Sequence, residues 1–378
     1  MKFSIRKQPL VEAVSHVTIA VSAQTTTPIL TGIKLTVEES HCTLTASDSN
    51  ISVQVEIPQT IDDDPVLEVE QTGSIVLPAR LFSEIVRKLP GHTVEIEVHP
   101  QYTTTIRSGQ ADFQLNGMNA NEFPRLPRLV EDKVFSLPNR LLKAMIRQTS
   151  FAVSTTESRP ILTGVLWQLE EGNLRFVATD SHRLAQRDAQ VEVTGEHSFH
   201  NVVVPGKSLS DLNKILEDDD ELADVVVADN QLLVKSKHIL FYSRLLEGNY
   251  PDTSRIIPQS GKIKMVLDTR ELLNSIDRAA VLTKAGKDNV VKLETDDQKV
   301  EISAHTPEIG RVSESVQVKE IEGEPLHISF NAKFMMDVLR VLDSGQIRIE
   351  FIGPMAPFVI VPTDGDHCLY LILPVRTY

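Results

Sequence analysis

The chain is poor in the groups that usually announce chemistry. It has 2 cysteines in 378 residues, Cys42 and Cys368. Two are too few for a disulfide framework or a thiolate metal site, and they suit a reducing compartment. Aromatic residues make up 5% of the chain, with one tryptophan, so no stacking platform for single-stranded nucleic acid is expected. No run of about eighteen apolar residues occurs, which excludes a membrane-spanning helix. The first residues mix polar and apolar side chains without the apolar stretch of a secretory leader. The expectation is a cytoplasmic protein.

A catalytic constellation is missing as well. There is no Gly-x-Ser-x-Gly elbow, and the 11 histidines form no His-Glu-x-x-His or paired Cys/His pattern. Gly206-Lys207-Ser208 ends like a phosphate-binding loop, but Asn201 stands where the first glycine is needed, so the amide cradle is absent. Thr179-Asp180-Ser181-His182-Arg183 brings Asp, Ser and His together. Neighbours in one turn cannot converge as a relay, and a structural turn explains the segment. The acidic clusters at 62–64 and 217–221 lack the glycine and spacing of a calcium loop and read as solvated loops. The expectation is no enzyme, no metal and no cofactor.

What the chain does have is repetition. Residues 3–22 read FSIRKQPLVEAVSHVTIAVS, residues 135–154 read FSLPNRLLKAMIRQTSFAVS, and MVLDTRELLNSIDRAAVLTK at 265–284 is a weaker third copy. TPILTGI at 27–33 returns as RPILTGV at 159–165, and ASDSN at 46–50 returns as ATDSH at 178–182. A repeat this long is a whole domain, not a solenoid unit. A third of 378 is 126, close to the commonest domain size. The expected domains are 1–128, 129–253 and 254–378, joined by the Pro-containing connectors 121–133 and 248–261.

Each copy reads as two helices among short strands. The first helices are expected at 4–22, 139–154 and 269–284, the second at 79–89, 206–216 and 332–341. In the second helices a cation, an acid and a cation recur: Arg80, Glu84, Arg87; Lys207, Asp211, Lys214; Lys333, Asp337, Arg340. That spacing puts all three on one face. The opposite, apolar face is carried by Phe82, Ile85 and Leu89, by Leu209, Leu212 and Leu216, and by Met335, Val338 and Leu342. Segments 42–46, 93–98, 174–178, 300–304 and 347–351 alternate with period two, hence strands, and 368–373 is read as a further strand. The fold class is α+β: three repeated domains, each with two helices packed on antiparallel sheet. The six helical segments together carry +9, leaving −23 on the rest of a chain whose net charge is −14. A basic helical surface in an acidic protein is the expectation.

The triplication, ATDSHRLA at 178–185, GNYPD at 248–252, FNAKFMMDVL at 330–339 and LILPVR at 371–376 together resemble the bacterial DNA polymerase III beta subunit family, the sliding clamps. The likeness covers the whole chain in order. It implies a processivity factor that works as a head-to-tail homodimer, six domains closed into a ring around duplex DNA, with helices lining the hole and sheets outside. Partners implied are the replicative polymerase, the clamp loader and repair factors, all through short linear peptides. The helical cations Arg80, Arg140, Lys143, Arg147, Lys207 and Lys333 would face DNA. Dimer closure would use Phe113 and Leu115 on an edge strand against Val281 and Leu282 at a helix end. The peptide cleft would have a deep part at Leu162, Thr179, Leu184, Pro251, Ile256, Leu371 and Leu373. Its groove would run along Arg159, His182, Asn331, Phe334, Met355, Val375 and Arg376, with Arg255 nearby. The likeness departs at Thr155-Thr156-Glu157 and Pro160-Ile161, where relatives carry a Gln and a Tyr pair that touch DNA, and at Phe334, where many carry Tyr. Two other classes stay open on the residues alone: a monomeric peptide-binding scaffold and a multidomain hydrolase.

Overall fold

The computed structural model of the chain describes residues 1–22, 25–127, 129, 134–193, 198–258, 260–286, 289–296, 299–307, 309–365 and 367–376. Part of each expected connector, 128, 130–133 and 259, therefore lies outside the described residues.

Six helices form where the two-helix pattern placed them: α1 Lys7–Thr18, α2 Ala79–Lys88, α3 Asn139–Thr149, α4 Gly206–Ile215, α5 Thr269–Gly286 and α6 Ala332–Val341. The first helix of the first copy starts at Lys7, later than the expected 4, whereas α3 and α5 start at the expected 139 and 269. Strands Lys2–Arg6, Val134–Pro138 and Ile263–Asp268 take the leading residues. The reason is a change of period: Phe3 and Ile5, Phe135 and Leu137, and Met265 and Leu267 alternate inward, and the 3.6-residue pattern begins only afterwards. Pro78, Pro138 and Pro205 end the strands before α2, α3 and α4, because proline has no N–H for the ladder. Asn331 caps α6, its Oδ1 accepting from the N–H groups of Lys333 and Phe334 at 2.9 and 3.3 Å.

The chain forms two compact units. The first comprises Met1–Arg140 and Asp211–Leu245, the second Leu141–Ser210 and Leu246–Tyr378. In the first unit one sheet runs Val134–Pro138, Leu222–Val227, Gln231–Ser236, Ile239–Arg244, Ile51–Pro58, His41–Ser47, Gly32–Val37, Gly73–Pro78. In the second unit the matching sheet runs Phe199–Pro205, Gly164–Glu170, Asn173–Thr179, Arg183–Gln190, Cys368–Ile372, Phe358–Pro362, Gln346–Phe351, Ile263–Asp268, Val318–Glu322. Each long sheet thus joins two copies of the repeat edge to edge: Ser243 opposes Ile51 in the first, and Ile372 opposes Arg183 in the second.

The repeated Thr-Gly at 31–32 and 163–164 has a packing cause. A Cβ on Gly32 would lie 2.4 Å from Val76, and one on Gly164 would lie 2.7 Å from Val203 and 2.9 Å from a backbone oxygen. Beneath the sheets the apolar helix faces are buried as expected, except that Ile85 is half-exposed and Val86 is buried in its place. Trp167 stacks on Phe176 at 4.1 Å between centroids, and such a buried aromatic contributes about 2–3 kcal/mol.

The hairpin turn at 62–63, both residues with positive φ, joins the strands Thr60–Ile61 and Asp64–Pro65, and Asp64 pairs with Arg6 at 3.2 Å. The second acidic cluster wraps Lys237, whose Nζ lies 2.6, 3.0 and 3.4 Å from Glu217, Asp219 and Glu221. Hydrogen bonds from Asn139 and Lys237 hold the Asp219 carboxyl below its usual range. Among the described residues no group of three or more His, Cys, Asp or Glu is arranged to hold a metal ion.

Candidate peptide-binding site and cationic helices

Segment 179–183 is a hairpin turn between the strands Asn173–Thr179 and Arg183–Gln190. Asp180 Oδ1 accepts from the N–H groups of His182 and Arg183 at 2.9 and 3.0 Å. Thr179 Oγ1 donates to the Arg183 carbonyl at 2.7 Å and accepts from Ser181 N–H at 3.1 Å. Ser181 takes a positive φ of 76°. The turn therefore exposes His182 and turns Arg183 inward.

Arg183 is 7% exposed and uses all three of its nitrogens. Nε donates to Asp180 at 3.0 Å, one terminal nitrogen to Asp337 at 2.7 Å, and the other to the Phe151 carbonyl at 2.7 Å. Its guanidinium sits 4.5 Å from the Phe334 ring centroid and 5.4 Å from that of Phe151. A buried cation between two carboxylates and two rings fixes the turn to α6.

The outer face of this sheet is apolar beside the turn. Leu162, Leu184 and Leu371 belong to one buried cluster with Leu166, Val177, Val203 and Tyr250. Leu184 opposes Leu371 and also Thr179. The Tyr250 hydroxyl accepts from Thr179 N–H at 3.1 Å, and burial pushes that phenol's pKa upward. Tyr250 is held by Asn201, which accepts from its N–H at 3.0 Å and donates to the Gly248 carbonyl at 2.8 Å. Gly248 has φ +117°, a conformation side chains resist. That explains the glycine in GNYPD. Beyond Tyr250, a cavity of about 630 Å³ lies between residues 250–258 and the sheet face at Leu166, Val177 and Leu369.

Most of the expected cleft residues come together here. Leu373 N–H donates to the His182 carbonyl at 2.9 Å, the His182 and Phe334 rings lie 6.5 Å apart, and Arg159 reaches Ser181 Oγ at 3.5 Å. Asn331 and Phe334 lie together at the start of α6, and Val375 N–H bonds the Ser329 carbonyl at 2.7 Å, two residues before Asn331. Pro251 lines the cavity. Ile256, Met355 and Arg376 are exposed in the same unit. Arg255 is exposed and pairs with Asp252 at 3.4 Å.

Of the six helical cations assigned to DNA, Arg80, Arg140, Arg147, Lys207 and Lys333 are exposed and Lys143 is half-buried. Arg80 pairs with Glu84 at 3.6 Å, Arg140 with Asp220 at 2.5 Å, Arg147 with Asp343 at 2.5 Å and Lys333 with Asp337 at 2.6 Å. Exposed pairs of this kind are weak and exchangeable.

Three family models match in succession: DNA polymerase III beta subunit, N-terminal domain at residues 1–127, central domain at 136–252 and C-terminal domain at 254–376. The chain is 52% identical to the beta sliding clamp of Bacillus subtilis (strain 168) and 45% to that of Staphylococcus aureus, each covering 100% of both chains. The crystal structure of the DNA polymerase sliding clamp from Bacillus subtilis superposes with a TM-score of 0.96 at 52% identity. The DNA polymerase III beta chain from Streptococcus pneumoniae TIGR4 does so at 0.94 and 38%, both over 100% of each chain. The chain belongs to the DNA polymerase III beta subunit family.

This sliding-clamp family membership makes the α+β, three-domain class a finding. The residues named for dimer closure divide. Phe113 is 39% exposed on the edge strand Ala111–Asn116, and Val281 is 66% exposed on α5. Leu282 is half-buried, and Leu115, expected at an exposed edge, is buried in its own unit although it shares a side of the pleat with Phe113. Sequence reasoning named His182 but missed Arg183 and treated Asp337 as a helix-surface acid. The available signal was an arginine at a position where strand alternation turns the side chain inward.

Proposed function

We propose that two copies of this chain close head to tail into a ring that encircles duplex DNA and tethers the replicative polymerase to it. The observation that carries this is full-length kinship, in order, with three consecutive clamp domains. The domain division is proposed as 1–128, 129–253 and 254–378. Closure would lay the edge strand Ala111–Asn116 of one copy beside the edge strand Gly310–Val316 of the next, with Phe113 near Val281. Arg80, Arg140, Lys143, Arg147, Lys207 and Lys333 would meet phosphates without reading bases, which permits sliding.

The peptide pocket around Leu162, Leu184 and Leu371 would take short segments ending in Leu and Phe from the polymerase, a clamp loader and repair factors. Apolar walls with His182, Asn331 and Arg159 at the margin fit such a ligand. The role is tethering, not catalysis, and the setting is the cytoplasm. No helix among the described residues is long and apolar enough to cross a membrane. The test is retention on DNA after loading by a relative's ATP-dependent loader. Retention on a closed circle and loss on linearising it is expected. Equal retention on both, or a native mass of one chain at micromolar concentration, would favour a monomeric scaffold.

A further inference from the structure

Resting on that reading of the pocket and of Lys333, we propose that DNA phosphate at Lys333 tightens the peptide pocket through Asp337. The cation-acid-cation pattern of α2, α4 and α6 is spent differently in the three helices. Glu84 meets Arg80 of its own helix at 3.6 Å, and Asp211 meets Lys214 of its own helix at 2.8 Å. In α6 a single oxygen, Oδ2 of Asp337, accepts from Lys333 Nζ at 2.6 Å and from Arg183 at 2.7 Å. One of these cations is 61% exposed and the other 7%.

Two cations sharing one lone-pair region weaken each other's hold. Lys333 is a point charge on a flexible stem and can leave for a phosphate, whereas the Arg183 fork is pinned by Asp180, the Phe151 carbonyl and two rings. When Lys333 leaves, Oδ2 serves Arg183 alone. A firmer Arg183 holds the 179–183 turn and the Phe334 ring in place before a peptide arrives, which lowers the ordering cost of binding. By linkage, a bound peptide raises the affinity of Lys333 for phosphate to the same degree.

The test is fluorescence anisotropy of a labelled synthetic peptide ending in Leu-Phe, titrated with the full chain with and without a saturating short duplex. The duplex is expected to lower the peptide Kd roughly two- to five-fold, about what one exposed ion pair supports, and less so as salt rises. Lys333→Ala should show the tighter Kd without DNA and no further response. Asp337→Asn should bind more weakly and not respond. An unchanged Kd while co-sedimentation shows the duplex bound, or a wild-type Kd and DNA response in Lys333→Ala, overturns the coupling and leaves the pocket intact. Failure of the wild-type chain to bind peptide at all overturns the pocket itself, and failure to bind duplex overturns the DNA-facing role. If Asp337→Asn melts below the assay temperature, the surface variant Lys333→Ala decides alone.

Discussion

The turn at 47–51 in the first unit and the turn at 179–183 in the second match bond for bond. Asp48 accepts from the N–H groups of Asn50 and Ile51 as Asp180 does from those of His182 and Arg183. Ser47 bonds the Ile51 carbonyl as Thr179 bonds that of Arg183, and Ser49 and Ser181 share the same positive φ. Arg244 N–H reaches Asn50 as Leu373 N–H reaches His182. The side chains around the two turns are another matter. Ile51 stands for Arg183, Ser52 for Leu184, Tyr242 for Leu371 and Arg244 for Leu373. Even the overlying cavity recurs, about 690 Å³ beside Lys34, Thr45, Gln54 and Phe123 in the first unit and about 630 Å³ beside Leu166, Val177, Gln186 and Tyr250 in the second. The repeated backbone builds the concavity twice. Apolar lining and a buried arginine distinguish the second, which is the one proposed as the peptide pocket.

Installing the first turn's residue in the second would test this most severely. Arg183→Ile leaves Asp180 and Asp337 without their buried cation and should cost about 3–5 kcal/mol, read as a fall in the urea midpoint with loss of peptide binding. A wild-type midpoint would break the contrast, since it would mean that the arginine holds nothing. Leu184→Ser copies the polar floor of the first unit. It should cost about 2–4 kcal/mol for a buried leucine and weaken the peptide at least about ten-fold by anisotropy, while Ser52→Leu creates no pocket in the first unit. Next in size, Asp48→Ala strips two N–H groups of their acceptor and should cost about 1–2 kcal/mol. Asp180→Ala should exceed it by calorimetry, because it also unpairs Arg183.

The smallest effect concerns α1 and α3, where His16 stands at the position of Gln148. Burial lowers the His16 pKa from its ordinary 6.5, so the folded chain favours neutral imidazole. That stability is fully present above 6.5 and is lost as pH falls through the lower folded value. His16→Gln, the residue of the second copy, should flatten urea midpoints measured between pH ~7.5 and ~5. A wild-type slope in the variant would assign the pH dependence elsewhere. Cys42, by contrast, has its thiol pushed up to about 12 by burial and should stay silent to thiol reagents in the folded chain.

Much of the fold was legible because it rests on local period. Thr93–Val98 and Ala332–Val341 appear at the bounds their alternation and 3.6-residue pattern dictate, and Gly-x-turn residues recur wherever the backbone does. In the first copy residues 4–6 of the leading strand were read as helix, because a few alternating residues are a weak signal beside a long helical pattern. The pocket was legible only through resemblance. Leu162, Leu184, Tyr250 and Leu371 are ordinary strand and loop residues in four distant segments, and nothing local marks them as neighbours. Arg183 was passed over because a strand-end arginine is usually solvated.

By itself the sequence determined three copies of one α+β pattern, the short-range turn chemistry of Asp48 and Asp180, and the excess of cations on the helices. These depend on spacing along the chain, which neighbours in sequence carry with them. Only the tertiary structure decided that one copy's hairpin turn is bolted to the third copy's helix through Arg183 and Asp337, 154 positions apart. Burial, which removes water as a competitor and makes such a pairing matter, is a property of the packed molecule and of no segment alone.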